Sequence, residues 1–178
     1  MPSKSLSTVL SCMAALMLAA VTIPGAARAE PIVIKLATMA PEGTTWYNGL
    51  AEIRDRWSEI SNGQVELKIY AGGVVGNEGS MVRKMRIGQL HGAALSNMGL
   101  QDMTDAPQVT NTPMLIRSYG ELDYVMERMA PEFETALADA GFIVLNWSDV
   151  GWVHFFTNVP IQKPADVEGI KVFAWEGD

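Results

Sequence analysis

QVELKIYAGGVVGNEGSMVRKMRIGQLHGAALSN, residues 64–97, holds a strand, a turn, a helix and a second strand in direct succession. Val65, Leu67 and Ile69 alternate with Glu66, Lys68 and Tyr70 at the two-residue period of a half-buried strand. Ala71-Gly72-Gly73-Val74-Val75-Gly76 then breaks the period with glycines. Asn77 suits a helix N-cap, and Glu78 puts a carboxylate in the first turn, where the helix dipole favours it. Met81, Val82 and Met85 recur on one face, opposite Arg83, Lys84 and Arg86, and Gly88 ends the pattern. Gly92 to Ser96 reads as a short buried strand. This β-α-β succession predicts a parallel sheet covered by helices, with any ligand at the carboxyl ends of its strands.

Upstream, Ile32 to Leu36 is a near-continuous apolar strand that Ala40-Pro41-Glu42-Gly43 ends in a turn. Thr44 or Thr45 caps the helix that follows. Its stripe of Trp46, Leu50, Ile53, Trp57 and Ile60 is expected to face the core, and Asn62-Gly63 supplies a left-handed stop. Trp46, on the first turn, sits where open sheets bind ligands. Downstream, Gln101 to Asn111 reads as a loop or short strand. Ser118 and Glu121 form a capping box for a helix faced by Tyr119, Leu122, Val125 and Met129. Pro131 is expected to open a separate helix that buries Phe133, Leu137 and Ala140 and closes at Gly141. Phe142–Leu145, Val153–Thr157 and Ile170–Trp175 read as further strands.

The chain has 178 residues, 48% of them hydrophobic, with a net charge of −7 and one cysteine. Its first 29 residues read as a secretion leader. Lys4 gives a positive start, Leu6 to Ile23 an apolar run, and Ala27-Arg28-Ala29 a small-residue cleavage site, so the mature chain is expected to begin at Glu30. An uncleaved anchor would want a longer run without its Ser, Thr and Cys, and Cys12 lies inside the run rather than after it, as a lipid-acceptor cysteine would. Losing Lys4 and Arg28 with the leader moves the net charge from −7 to −9. That argues against nucleic acid or anionic lipid as a partner, and no direct membrane insertion of the mature chain is expected. Cys12 leaves too, and with it every disulfide, thiol nucleophile and Cys-ligated metal.

Catalytic patterns are missing as well. Neither G-x-x-x-x-G-K-(S/T) nor G-x-G-x-x-G fits the glycine-rich turn, and Glu78 stands where a phosphate would sit. His91 and His154, the two histidines, lack metal-ligand spacing, and Ser96 lacks a nucleophile elbow. The residues indicate neither an enzyme nor a metal or cofactor.

Three segments carry a resemblance. Gly76-Asn77-Glu78 with the helix through Gly88 and on to Ser96, the run IKLATMAPEGTTW (34–46), and FTNVPIQKPADVEGIKV (156–172) resemble, in order, segments of solute-binding proteins that serve tripartite ATP-independent periplasmic (TRAP) transporters, the DctP-like family. The resemblance implies an α/β fold of the two-lobed periplasmic solute-binding type, with residues 30–150 as the first lobe and 151–178 as the start of the second. It further implies a small-molecule ligand between the lobes, membrane transporter subunits as partners, and a periplasmic location. A periplasmic sensor module is the alternative of another class.

Departures from the family pattern define the expected site. The family's strand G-(L/I)-K-(I/V/L)-R ends in an arginine that clamps the ligand's carboxylate, and here the segment reads Gly169-Ile170-Lys171-Val172-Phe173. A second family arginine falls near Trp152-Val153-His154. Lys171 lacks the planar two-toothed grip of arginine. Phe173 and Trp175 share a strand face by the two-residue period, and that face is either cleft or core. Phe173, Trp175, Trp152, Trp46, Glu78 and Ser96 are therefore the ligand-binding candidates. An aromatic or amphipathic ligand is expected, with an ordinary C4-dicarboxylate or other organic acid as the alternative.

Overall fold

A computed structural model describes residues 30–152, 154 and 156–171. Three parallel strands form its sheet: β1 (Ile32–Thr38), β2 (Val65–Tyr70) and β3 (Gly92–Ala94), in the order β2-β1-β3. Ile34 pairs with Leu67 and Leu36 with both Ile69 and Gly92, so the carboxyl half of β1 lies between two strands. Helix α1 (Thr45–Ile60) connects β1 to β2, and α2 (Glu78–Arg86) connects β2 to β3. The β-α-β reading of residues 64–97 therefore holds.

Small residues explain where the core lies. Ala37 and Ala93, paired on one face, leave room there, and α2 packs Met81 into it; Met81 and its neighbour Val82 are both fully buried. Met81 joins Ala37 and Leu90, with Met39, Tyr70, Val75 and Met85 packed around them. Each such large side chain contributes about 1.5–3 kcal/mol by leaving water. His91 extends the ladder beyond β3: its N–H donates to the Lys35 carbonyl at 2.9 Å, and its Nδ1 accepts from the Lys35 N–H at 3.1 Å.

The caps follow the sequence closely. Thr44 Oγ1 accepts from the Tyr47 N–H at 3.3 Å and Asn77 Oδ1 from the Ser80 N–H at 3.0 Å. Asn62 and Gly63 both take positive φ, at 51° and 74°, and stop α1 as expected. The buried stripe of α1, however, is displaced. Its covered face runs through Tyr47, Leu50, Ala51, Arg54 and Trp57, whereas Trp46, Ile53 and Ile60 are exposed. The helix rests on β2, an edge strand, so a single sheet margin covers only part of its apolar arc.

Further expectations are corrected beyond β3. The strand predicted over Gly92–Ser96 is only three residues long and half-buried, because Ser96 caps a short helix, α3 (Asn97–Gln101). Gln101–Asn111 is no strand: α3 ends in it and a 3-10 helix (Ala106–Asn111) follows, with Pro107 buried. The two helices expected around Pro131 are one, α4 (Tyr119–Asp139). Helix formers on both sides of Pro131 carry the helix through the missing N–H, and Phe133 and Leu137 anchor its second half. Phe133 meets Trp147 edge-on at 6.2 Å, while Trp147 Nε1 donates to Glu134 at 2.9 Å.

Phe142–Leu145 is irregular rather than a buried strand, with Ile143 86% exposed. No paired strand lies alongside it among the described residues, and without one Ile143 and Leu145 stay in water while Phe142 and Val144 are half-buried. His154, Phe156 and Thr157 are likewise irregular, and Val153 and Phe155 lie outside the described residues. A short 3-10 helix, Pro164–Val167, begins at its own proline. Ile170 and Lys171 are irregular, and the rest of the strand expected there lies outside the described residues, as do residues 1–29. Among the described residues no helix is long and apolar enough to cross a membrane.

Candidate functional site

Because the strands are parallel, their carboxyl ends share one edge, and three loops leave it for α1, α2 and α3. The first two loops are tied together. Gly72 N–H donates to the Ala40 carbonyl at 3.0 Å and Gly73 N–H to the Thr38 carbonyl at 3.1 Å. Gly72 and Gly73 have φ of 59° and 71°, which fits the glycine-rich run to a tight turn. Thr38, buried at the end of β1, accepts the Ala40 N–H on its hydroxyl at 3.1 Å.

Glu78 and Ser96 meet at this edge. Glu78 Oε1 accepts from the Ser96 N–H at 2.9 Å, and Oε2 accepts from the Ser96 hydroxyl at 2.7 Å and the Gly99 N–H at 2.8 Å. Ser96 Oγ in turn accepts the Met98 N–H at 3.3 Å. Next to this pair is a polar group that the sequence reading passed over. Asn97 Nδ2 donates to Thr110 Oγ1 and Asn111 Oδ1, both at 2.8 Å, and Gln108 Nε2 donates to the Asn97 carbonyl at 2.6 Å. Its signal is the polar run Gln108-Val109-Thr110-Asn111, which the sequence marks only as part of a loop or short strand.

The aromatic candidates are not gathered with that pair. Trp46 is on the first turn of α1, 41% exposed. Trp152, 42% exposed, packs its ring 5.7 Å from that of Tyr119 at the start of α4. Phe173 and Trp175 lie outside the described residues. An open groove of about 570 Å³ runs beside the first half of α4, lined chiefly by Val109, Leu115, Ile116, Tyr124, Val125 and Met129, and none of the four candidates among the described residues, Trp46, Glu78, Ser96 and Trp152, lines it. On α1 the hydrogen bond from Arg54 at 2.8 Å holds the Asp55 carboxyl below its ordinary value and raises that of Arg54.

A parallel sheet whose carboxyl edge carries capped helices and a network of neutral polar groups is the scaffold of a binding lobe, and solved TRAP periplasmic solute-binding proteins share its fold. One from Sulfitobacter sp. NAS-14.1, with bound β-D-galacturonate, superposes with a TM-score of 0.71 at 20% identity over 77% of this chain and 46% of that one. The chain belongs to bacterial extracellular solute-binding protein family 7, the DctP family, whose model matches residues 36–173. A solute-binding protein of Chromohalobacter salexigens is 29% identical over 68% of this chain and 37% of its own length. The C4-dicarboxylate-binding periplasmic protein DctP of Rhodobacter capsulatus is 25% identical over 86% of this chain and 46% of its own. The chain thus spans less than half the length of these relatives. The family is one of transport proteins that bind solutes outside the cytoplasm, not a class of enzymes.

Proposed function

We propose that this chain belongs to the solute-binding component of a TRAP-type transporter, secreted after cleavage before Glu30, that delivers a small organic acid to a pair of membrane subunits. The family match over residues 36–173 carries the reading. In it, residues 30–150 form the first lobe and 151–178 begin the second, and the ligand lies between them. The C4-dicarboxylate named for one relative and the galacturonate bound to another support the organic-acid class.

A second reading keeps the same role with a more apolar ligand, and Phe173 in the place of the family's arginine favours it. An unpaired buried carboxylate costs several kcal/mol, while an aromatic wall favours apolar surface by roughly 1.5–3 kcal/mol per large group covered. Trp175, Trp152 and Trp46 are its further contacts. Calorimetry of the intact protein with C4-dicarboxylates, sugar acids, keto acids and aromatic acids separates the two readings. Binding confined to hydrophilic acids supports the first, and preference for aromatic acids the second. Chemical turnover of any bound compound would overturn both.

A further inference from the structure

We infer that Glu78 is a positioning residue, which ties the loop after β2 to the loop after β3 and fixes Ser96 as a hydrogen-bond acceptor. Glu78 opens α2, which is entered from β2, whereas Ser96 and Gly99 belong to the start of α3, entered from β3. In the order β2-β1-β3 these two strands are not neighbours. The carboxylate therefore links strand ends that β1 keeps apart, and all three of its donors are neutral.

Two glycines let the starts of α2 and α3 approach, and one of them, Gly99, makes room for this link. A Cβ on Gly99 would lie 2.8 Å from Glu78 Oε2 and 3.0 Å from its Cβ, and one on Gly79 would lie 2.5 Å from Asp102 Oδ2. Neither glycine has a positive φ, so glycine supplies space there rather than an unusual backbone. Arg86 Nη2 closes the far side by donating to the Asp102 carbonyl at 2.9 Å.

The arrangement decides what Ser96 can offer. A serine hydroxyl has one proton and two lone pairs. Here the proton goes to Glu78 and one lone pair to Met98 N–H. What remains is a single lone pair, able to accept from a ligand hydroxyl and unable to donate to a carboxylate. A glutamine at 78 has one acceptor oxygen where the three donors need two, so the Ser96 hydroxyl becomes free to turn.

The test uses the intact protein as wild type, Glu78→Gln, Ser96→Ala and the double variant, with D-galacturonate and succinate as probes, since only the former carries hydroxyls. This arm rests on the organic-acid reading. The galacturonate-to-succinate affinity ratio is expected to fall about 3- to 10-fold in Glu78→Gln and to change less than about 2-fold when the same change is made on Ser96→Ala. Equal falls in both backgrounds would overturn the inference, because a merely structural carboxylate, or its charge alone, acts without Ser96. Wild-type protein that binds neither probe removes the organic-acid reading instead, and the second arm then decides. In it, the Ser96 and Gly99 amides are expected to exchange with solvent about 10-fold faster or more in Glu78→Gln than in wild type. Unchanged exchange would refute the link whatever the ligand.

Discussion

Gly99 lies so close to Glu78 that a methyl group on it would press on both the carboxylate and the Cβ of that residue, at 2.8 and 3.0 Å. Leu95 Cβ closes the third side at 3.1 Å. Cβ atoms cannot swing away, so Gly99→Ala should cost about 1–3 kcal/mol by overpacking. Gly79→Ala is the informative contrast. Its clash is with the tip of the exposed Asp102 side chain, which can rotate, and the gain of about 1 kcal/mol in helix propensity offsets the remainder. Urea denaturation of the two variants should give a clear loss for Gly99→Ala and near-neutrality for Gly79→Ala.

Pro131 sits inside α4 with no N–H to give to the preceding turn, while Phe133 and Leu137 just beyond it are buried. Replacing it with alanine should raise stability by roughly 2 kcal/mol, the interior-proline penalty less the freedom the unfolded chain regains. Thermal melts decide the matter. A lower melting temperature would mean that the proline sets the path by which Phe133 and Leu137 reach the core.

The β-α-β unit was legible because each of its signals is local: alternation, glycines with positive φ, an Asn cap and an apolar face on α2. What misled was long-range. Trp46, Ile53 and Ile60 match helical spacing as well as Leu50 and Trp57 do, and only the extent of the neighbouring sheet decides which of them are covered. Apolarity at Ile143 and Leu145 likewise reports a tendency to be buried, whereas a strand needs a partner with free hydrogen bonds. Glu78 and Ser96 are each candidates from the sequence, yet the bond between them spans 18 positions that no spacing rule connects.

N-terminal sequencing of protein recovered from the periplasm should begin at Glu30. A chain starting at or near Met1, or one acylated at Cys12, would remove both the cleavage and the periplasmic assignment.

Residues 30–178 produced alone should associate. Met114, Ile143, Leu145 and Phe156 are each more than 80% exposed, and the sheet has two uncovered edge strands among the described residues. Size-exclusion chromatography coupled to light scattering should therefore show dimers or larger species at micromolar concentration. A monodisperse monomer would mean that these side chains find cover within the chain itself.

Phe173 is the sharpest test of ligand class. If it replaces a carboxylate clamp, a simple dicarboxylate loses a buried charged partner and should bind about 30-fold or more weakly than a compound that offers apolar surface. Phe173→Ala should then weaken an aromatic acid and leave succinate nearly unchanged. Lys171, exposed two positions earlier, and His154 are the side chains that could stand in for the arginine. Should succinate instead bind tightly, survive Phe173→Ala and be lost in Lys171→Ala, the lysine rather than the aromatic ring holds the ligand, and the apolar reading fails in favour of an ordinary organic acid.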